Sequence, residues 1–233
     1  MSRFTNRSYQ KELLDGNDIP FADIRTNMQE LNTINTILGG HAITLQGFRK
    51  LIGDRKKISV CEIGCGGGDN LVAIVNWCKK NKIEVHCTGI DLKMECIEFA
   101  SQKEVLKGNT HWIVNNYAEV EFAERPDIIF SSLFCHHFTN ESLVDQLRWM
   151  EQNSRIGFFI NDLHRHWLAY HSIRILTQLF SKSFLVKNDA PLSVARGFVK
   201  NEWATFFQYA GIWNFQIQWK WAFRHLIIYQ HAQ

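Results

Sequence analysis

The residues best suited to hold a ligand form a glycine-rich run at residues 60–69, which reads VCEIGCGGGD. Glycine lets the backbone turn sharply and lets a ligand approach the main chain with no Cβ in the way. A dinucleotide-binding loop of the form G-x-G-x-x-G would place its third glycine where Asp69 stands. Because an acid at the start of the following helix repels a pyrophosphate, the spacing favours a ligand without that group.

A second acid, Asp91, ends the next β-rich run of the sequence. At this strand end of an open α/β sheet, a carboxylate accepts hydrogen bonds from the hydroxyls of a ribose. Glu62, in the strand before the glycines, is expected to order the loop or to meet an amine of the ligand. The two acids and the loop together predict a site for a nucleoside that carries no phosphates.

Histidines follow two later strands of the predicted sheet. His136 and His137 come after the fourth strand, and Asp162, His164 and His166 come at or after the end of the fifth. The carboxyl ends of parallel strands share one edge of a sheet, so we expect these side chains beside the glycine loop. Since an imidazole titrates near neutral pH and suits a general base, His136, His137, Asp162 and His166 are the candidate catalytic residues.

Other roles for these histidines stay open. One member of the pair His136 and His137 could instead cap a helix or hydrogen-bond within the fold, because adjacent residues rarely both face a pocket. The residues after the fifth strand could anchor a substrate or cap the next helix. Metal ligation lacks a tight ligand spacing in the sequence, so no metal is predicted.

The elements that position these residues alternate along the chain. Short β-rich runs and amphipathic helical runs follow one another between residues 58 and 162, which is typical of a parallel sheet with crossover helices. The predicted strands are 58–63, 85–91, 112–114, 127–131 and 155–162. The predicted helices of this part are 70–80, 93–107 and 141–153.

The end of the chain predicts an antiparallel hairpin. Apolar and polar residues alternate over 213–221, and a second apolar run lies within 225–231. Helical patterns cover residues 1–50, with a stop at Gly39, and residues 163–186 and about 199–210. The predicted fold class is α/β, a Rossmann-like seven-stranded mostly parallel sheet with a C-terminal antiparallel hairpin and a helical N-terminal cap.

The composition predicts one soluble, cytoplasmic domain. The chain has 233 residues, of which 45% are hydrophobic and 21% charged, with a formal net charge of +3. No apolar stretch approaches the roughly 20 residues of a membrane span, and no signal peptide opens the sequence. The six cysteines show no C-x-x-C spacing, which favours reduced thiols in the core. The basic residues form no stripe, so nucleic acid is not expected as a partner.

Aromatic residues make up 13% of the chain and include eight tryptophans. The alternation over 213–221 assigns several of them to the hairpin. Only the aromatics near 134–138 and 167–180 therefore remain candidates for lining a substrate pocket.

The motif E-x-G-x-G-x-G at residues 62–68, followed by a strand-end acid at Asp91, resembles the class I S-adenosylmethionine-dependent methyltransferases. The resemblance implies that S-adenosylmethionine is the cofactor and S-adenosylhomocysteine the product. It places Asp91 on the ribose and Leu92 against the adenine. Where that family often has an acid after the third strand, this chain has Asn116, whose amide can still bond the adenine edge. The cofactor-binding residues it implies are Glu62, Gly64, Cys65, Gly66, Asp69, Asp91, Leu92, Asn116, Tyr117 and Ser131.

Three further segments resemble the methyltransferases of quinone biosynthesis and those associated with bacterial polyketides. They are residues 38–41, 162–165 and 189–196. The resemblance implies a single methyltransferase domain with a cap at 1–50, a cofactor-binding core at 51–162, a helical cover at 163–198, and a helix plus hairpin at 199–233. The expected substrate is a small aromatic or apolar metabolite methylated on oxygen or carbon.

Alternatives remain for the function. A nicotinamide-dependent oxidoreductase is disfavoured by Asp69, and a catalytically inert cofactor-binding homologue is disfavoured by the intact loop and the histidines. A methyltransferase acting on tRNA or protein is the rival within the class. The acceptor atom, the general base and the oligomeric state stay undetermined by the sequence.

Overall fold

The computed structural model of the protein describes residues 4–16 and 19–232. Its strands are β1 (Lys57–Ile63), β2 (Glu84–Asp91), β3 (Thr110–Val114), β4 (Ile128–Ser132), β5 (Gly157–Leu163), β6 (Phe215–Lys220) and β7 (Arg224–Gln230). Its helices are α1 (Phe21–Ile37), α2 (Gly40–Ile52), α3 (Asp69–Lys80), α4 (Met94–Ser101), α5 (Asn140–Asn153), α6 (Trp167–Phe180), α7 (Phe184–Arg196) and α8 (Lys200–Ala210). Short 3-10 turns lie at Leu13–Asp15, Glu104–Leu106, Tyr117–Glu119 and Cys135–His137.

The seven strands form one sheet in the order β3-β2-β1-β4-β5-β7-β6. The first five strands pair in parallel, whereas β7 pairs antiparallel with both β5 and β6. The fold class predicted from the sequence, including the terminal hairpin, is confirmed. Strand order reverses between β1 and β4, so the ligand crevice of such a sheet is expected at the carboxyl ends of these two strands.

Helices cover both faces of the sheet because each presents one apolar stripe to it. On one face, α2 and α3 pack through residues such as Phe48 and Ile74 against β1, β4 and β5. On the other face, α5 and α8 pack through residues such as Leu147 and Trp203. The close approach of α2 depends on Gly47, since a Cβ there would lie 2.5 Å from the Phe159 ring. The core is therefore split into two layers by the sheet.

Of the N-terminal helices, α1 lines the cavity at the carboxyl edge of the sheet, whereas α2 packs on a sheet face. Gly39, with φ of +74°, separates α1 from α2, and α1 contacts α2, α4 and α7. His41 on α2 connects α1 and α3, since its ring nitrogens lie 2.8 Å from the side-chain oxygen of Asn70 and 2.9 Å from that of Asn32. The predicted stop at Gly39 is confirmed, but the helical pattern predicted over 1–50 is wrong for residues 4–16, 19 and 20, which form no helix beyond the 3-10 turn Leu13–Asp15. Residues 1–3, 17 and 18 of the predicted cap, and residue 233 of the predicted hairpin segment, lie outside the described part of the chain.

Two predicted helices have different bounds in the structure. The helix predicted over 93–107 ends at Ser101, and a separate turn follows at Glu104–Leu106. The helical stretch predicted over 163–186 is two helices, α6 and α7, the second of which reaches Arg196. The break occurs because the carboxylate of Glu30 on α1 accepts hydrogen bonds from the backbone N–H groups of Lys182 and Ser183. Ser183 then caps α7 by accepting from the N–H of Val186.

No helix in the ranges 4–16 and 19–232 combines the length and the apolar character that crossing a bilayer requires.

Candidate active site

A cavity of about 770 Å³ opens at the carboxyl ends of β1 and β4, where the strand order reverses. One end contains the glycine loop and the residues after β2, and the other contains the residues after β4. Helices α1 and α6 contribute apolar walls, among them Met28, Leu31, Ile34, Ile173 and Leu176. A volume of this size accommodates a small-molecule ligand together with part of a second one.

The glycine loop is open towards the cavity at Gly66. Its φ of +49° lies in the left-handed region, and a Cβ at this position would meet nothing within 4 Å. Gly64, with φ of +66°, is tightly covered instead, because a Cβ there would collide with the ring of Phe134. The loop thus leaves a cradle above Gly66 that a ligand can fill while remaining in contact with the main chain.

Asp91 holds this loop in place. Its Oδ2 accepts a hydrogen bond of 2.8 Å from the N–H of Gly66, and its Oδ1 accepts one of 2.9 Å from the N–H of Lys93. Burial raises the pKa of Asp91, although the backbone donors of Lys93 and Gly66 oppose the shift. Each carboxylate oxygen keeps a further acceptor position for a ligand hydroxyl. Leu92, next to it, lines the cavity and is 69% exposed, as an apolar platform for a flat ring would be.

Glu62 lies at the inner end of the loop with one oxygen unpaired. Its Oε1 accepts from Nδ2 of Asn70 at 2.8 Å, while the buried Oε2 has no hydrogen-bond partner among the described residues. Burial raises the pKa of Glu62 well above its usual range. An unpaired buried oxygen at a cavity wall fits a ligand amine. Glu62, the cradle at Gly66 and the Asp91 carboxylate therefore suit the methionine and ribose parts of S-adenosylmethionine.

Four other predicted cofactor residues line the same cavity, namely Cys65, Asp69, Asn116 and Tyr117. The side-chain oxygen Oδ1 of Asn116 caps a short turn by accepting from the N–H of Ala118. The side-chain NH₂ group of Asn116 therefore remains to donate to a ligand. Asp69 forms an ion pair with Lys103. Because Lys103 neutralises the charge of Asp69, this carboxylate repels a pyrophosphate less than the sequence suggested.

Three predicted residues, Ser131, His166 and Asp162, lie away from the cavity lining. Ser131 is fully buried, with its Oγ 3.3 Å from the sulfur of Cys135. His166 caps α6 by accepting a hydrogen bond from the N–H of Leu168, and its ring stacks on Phe223. The structure therefore gives Ser131 a packing role and gives His166 the helix-cap role that the sequence left open.

His136 is oriented by Asp162 beneath it. Nδ1 of the buried imidazole lies 2.8 Å from Oδ1 of Asp162. Asp162 itself does not line the cavity. Burial alone would raise the pKa of Asp162, but the charge and hydrogen bond of His136 outweigh it and hold that pKa below its usual value. Oδ1 of Asp162 is placed to accept the Nδ1–H of His136, and Nε2 of the same ring lies on the side of Glu12.

Two acids from the N-terminal segment complete this cluster. Oε1 of Glu12 lies 3.6 Å from Nε2 of His136, and Oε2 lies 3.8 Å from Nε2 of His137. Oδ1 of Asp15 lies 3.2 Å from Nδ1 of His137. Both histidines and Glu12 line the cavity. Sequence reasoning missed Glu12 and Asp15, because an irregular segment more than 120 residues away carries no pattern that connects it to the histidines.

The segment that carries Glu12 is fixed from α7. The backbone N–H groups of Leu13 and Leu14 donate to the two carboxylate oxygens of Asp189 at 2.8 and 2.9 Å. Ser193 donates its hydroxyl to Oε1 of Glu12 at 2.7 Å. Arg196 donates to the carbonyl oxygens of His136 and His137, which fixes the 3-10 turn of the histidines. These α7 residues position the cluster instead of contacting a ligand.

Arg224, at the start of β7, is a buried cation at the cavity wall. Its Nη2 donates to Asn35 at 2.7 Å, whereas Nε and Nη1 have no hydrogen-bond partner among the described residues. Burial lowers the pKa of Arg224 to about 10. A buried guanidinium with unpaired nitrogens is costly unless an anionic group meets it.

The aromatic lining differs in part from the prediction. Phe134 and Phe138 line the cavity as expected, but the aromatic residues of α6 do not. Trp221 and Phe223 of the hairpin turn line it instead. The sequence alternation correctly assigned residues near Trp221 to a hairpin, but it gave no sign that the turn folds back over the cavity.

Comparison with known proteins indicates the class. Residues 60–156 match a family described as a methyltransferase domain. No curated protein matches the chain in sequence. Residues 60–156 therefore resemble a methyltransferase domain, and the fold as a whole is similar to those of solved methyltransferases in complex with S-adenosylmethionine or S-adenosylhomocysteine. Both findings support a class I S-adenosylmethionine-dependent methyltransferase over the oxidoreductase alternative.

Solved structures with the same fold are distant in sequence. The plantazolicin methyltransferase BpumL, in complex with a monoazolic desmethylPZN analog and SAH, is 15% identical with a TM-score of 0.66, over 91% of this chain and 90% of that one. Magnesium protoporphyrin IX methyltransferase from Synechocystis PCC 6803 with bound SAH is 14% identical with a TM-score of 0.54, over 93% and 90%. Human N-acetylserotonin methyltransferase in complex with SAM is 13% identical with a TM-score of 0.65, over 92% of this chain and only 57% of that one.

Proposed function

We propose that this methyltransferase transfers the methyl group of S-adenosylmethionine to oxygen or carbon of a small aromatic or apolar metabolite, of the quinone or polyketide kind. The proposal is supported by one continuous cavity that is lined both by the glycine loop and by the cluster of Glu12, His136 and His137. Between these polar ends the walls are largely aliphatic and aromatic. An apolar acceptor with one polar reacting atom matches that distribution.

Each end of the cavity has a separate task in this proposal. Asp91 accepts hydrogen bonds from the ribose, Leu92 packs on the adenine, and the amide of Asn116 meets the adenine edge. Glu62 and the backbone at Gly66 hold the methionine part. The bound cofactor supplies a methyl group activated by a sulfonium, whose S–CH₃ electron pair stays on the sulfur after transfer.

The acceptor end aligns the nucleophile and helps it lose its proton. Phe134, Phe138 and Ile173 confine an apolar body, which places the reacting atom near Nε2 of His136 and of His137. Alignment of this kind can supply much of the rate enhancement of an in-line displacement. A hydroxyl acceptor passes its proton to the cluster and from there to solvent, and its oxygen, or the adjacent ring carbon, forms the new bond to the methyl carbon.

Arg224 indicates that one of the bound ligands carries an anionic group. Two nitrogens of its buried guanidinium have no hydrogen-bond partner among the described residues, so we infer that a carboxylate or an ionised oxygen of a bound ligand reaches it. That ligand is the acceptor or the cofactor. Replacing Arg224 distinguishes them, because only the ligand that reaches Arg224 then loses affinity.

A macromolecular acceptor is the weaker alternative. The solved relatives include enzymes whose names give a porphyrin and N-acetylserotonin as acceptors. In this chain the reacting cluster combines the buried Glu12 and His136 with the partly exposed His137, and it lies in a cavity walled by α1, α6 and α7, where a small molecule fits more readily than a folded tRNA. All six cysteines are free, which supports a cytoplasmic setting for the reaction.

Binding and transfer are tested separately. Titration calorimetry with S-adenosylhomocysteine is expected to give saturable binding to the protein, lost on Asp91→Ala and kept on Asp54→Ala, an acid outside the cavity lining. Transfer of a labelled methyl group is then measured with a panel of phenols, quinols and β-diketones. Absence of binding by the intact protein overturns the proposal, and labelling of cellular RNA or protein but not of small molecules overturns the acceptor class.

A further inference from the structure

We propose that Glu12, His136 and His137 bind a divalent transition-metal ion at the acceptor end of the cavity. The binding itself is independent of the acceptor; the use of the ion in methyl transfer rests on the proposed function. One ligand atom from each residue, a carboxylate oxygen and two imidazole nitrogens, lies within 4.8 Å of the other two.

The distances match a site that needs little movement to close around an ion. Nε2 of His136 and Nε2 of His137 lie 3.6 and 3.8 Å from the two oxygens of Glu12. Atoms bound to one ion at about 2.1 Å lie about 3.0 to 3.4 Å apart for bond angles between 90° and tetrahedral. Shifts of less than about 1 Å per side chain bring the three atoms into this range, so the site is nearly formed.

The other nitrogen of each ring is held by a separate carboxylate. Nδ1 of His136 lies 2.8 Å from Asp162, and Nδ1 of His137 lies 3.2 Å from Asp15. Histidines that bind metals almost always donate their second N–H to a carboxylate or carbonyl, which fixes the tautomer that presents a lone pair to the ion. Here both rings are arranged in this way, and both free nitrogens converge on the same carboxylate.

Direct hydrogen bonds do not account for this convergence. The distances from Glu12 to the two Nε2 atoms exceed those of a hydrogen bond. Glu12 is nevertheless buried, and Ser193 donates its hydroxyl to Oε1. The charges of His137 and Arg196 offset part of the cost of burying this carboxylate, and a divalent ion between the three ligand atoms would offset more of it.

The ligand set indicates the kind of ion and what it would do. Two imidazoles and one carboxylate suit Zn²⁺ or a neighbouring ion such as Fe²⁺, Co²⁺ or Mn²⁺ and leave at least one coordination position open. Glu12, His136 and His137 all line the cavity, so an acceptor oxygen placed there by the proposed function would be within reach of the ion's open position. With the ion bound, the two imidazoles are its ligands and do not take up the acceptor's proton. A hydroxyl or enol bound to the ion would lose its proton to solvent instead, because the ion stabilises the oxygen anion.

Metal binding is measured on the protein without substrate. After treatment with a chelator and its removal, titration with CoCl₂ is expected to give visible d–d absorption that saturates at one ion per chain, and ZnCl₂ is expected to displace it. Glu12→Gln and His137→Asn are expected to weaken Co²⁺ binding by more than about 100-fold. Asp15→Asn, which leaves the three ligands in place, is expected to weaken it by about 10-fold or more.

The matched control is His86→Asn, since His86 lies on the exposed surface of β2 beside Glu84 and lines neither end of the cavity. This variant is expected to bind Co²⁺ as the unchanged protein does. Retained affinity for S-adenosylhomocysteine shows that each ligand variant is folded, and His137→Asn, at a partly exposed position, serves if Glu12→Gln does not fold. No saturable Co²⁺ or Zn²⁺ binding, or binding unchanged in both ligand variants, overturns the metal site.

Failure of the metal site and failure of the proposed function give different results. Methyl transfer that proceeds at full rate in the chelated, metal-free protein overturns the use of the ion and leaves the proposed function standing. Saturable Co²⁺ binding by a protein that binds no S-adenosylhomocysteine overturns the proposed function and leaves the metal site standing. Transfer that falls at least tenfold after chelation and returns with Zn²⁺ or Mn²⁺ supports both.

Discussion

At the scale of single residues, the cofactor end depends on a few contacts between Asp91 and the glycine loop. Asp91 accepts from the N–H of Gly66, so the same carboxylate shapes the loop and faces the cavity. Gly66 leaves open space where a side chain would stand. Small changes at these two positions are therefore expected to act on ligand binding more than on folding.

Gly66→Ala and Gly108→Ala form a matched pair. Both glycines have φ in the left-handed region, +49° and +75°, and a Cβ at either position meets nothing within 4 Å. Each substitution is expected to cost about 1 kcal/mol of unfolding free energy from backbone strain. Only Gly66→Ala fills the cradle of the cavity, so calorimetry is expected to show weakened binding of S-adenosylhomocysteine for that variant alone. Equal affinities of the two variants would contradict the placement of the cofactor.

Arg224→Met tests the unpaired guanidinium. Removing a buried charge that lacks a carboxylate partner is expected to raise the melting temperature of the ligand-free protein, by the equivalent of about 1 kcal/mol or more. The same change is expected to weaken the ligand whose anionic group reaches Arg224, which appears as a raised KM for either S-adenosylmethionine or the acceptor. A less stable variant with both KM values unchanged would show that the guanidinium has a structural role.

The spacing of the sequence predicted more of the cavity residues around the glycine loop than of those around Glu12 and Arg224. Gly66 and Asp91 stand at the ends of consecutive strands, and the regular geometry of a parallel sheet brings such positions together. Glu12 and Arg224 reach the cavity through an irregular segment and an antiparallel strand. Their contacts depend on tertiary packing, which residue spacing does not encode.

At the scale of elements, α7 connects the acceptor end to the rest of the fold. Its Asp189 holds the backbone of Leu13 and Leu14, its Ser193 contacts Glu12, and its Arg196 fixes the turn that carries the histidines. Because one helix holds both halves of the cluster, the position of α7 determines whether Glu12 meets His136 and His137.

Asp189→Ala is expected to loosen the segment that carries Glu12. Two backbone hydrogen bonds to the carboxylate are lost, so amide hydrogen exchange at Leu13 and Leu14 is expected to rise. The rate of methyl transfer is expected to fall at least tenfold while the affinity for S-adenosylhomocysteine stays the same. Lys200→Ala, at the exposed start of α8, is the control. Unchanged exchange at both amides would contradict the role given to α7.

The bounds of α6 and α7 show where helix prediction was limited. The apolar spacing over 163–186 continues without a glycine or proline, so the sequence favours one helix there. The break arises from Glu30 on α1, whose carboxylate accepts from backbone N–H groups at Lys182 and Ser183. A distant side chain therefore ends a helix that local propensity would continue.

At the scale of the whole molecule, the sheet places several titratable groups in its interior. His225 on β7 is buried beside His164, with their ring centroids 4.9 Å apart. Burial, reinforced by the charge of His164, lowers the pKa of His225 to about 4, although a contact with the Phe198 backbone and the charges of Asp162 and Glu202 act in the opposite direction.

This depressed pKa predicts acid sensitivity. Between pH 6.5 and about 4 the unfolded chain binds a proton at His225 that the folded chain does not, so stability falls as the pH falls through this window. The loss is on the order of 3 kcal/mol at the low end. Denaturant unfolding from pH 7 to pH 4 is expected to show a shallower decline for His225→Leu than for the unchanged protein. Parallel declines would contradict a neutral buried His225.

A crystal structure of the protein with S-adenosylhomocysteine tests the two ends of the cavity together. The ribose is expected at Asp91, the adenine against Leu92, and the sulfur pointing along the cavity towards Glu12, His136 and His137. Free volume for an acceptor is expected between the sulfur and these three residues. A nucleoside bound away from Asp91, or a sulfur directed away from the histidines, would contradict the assignment of both ends of the cavity.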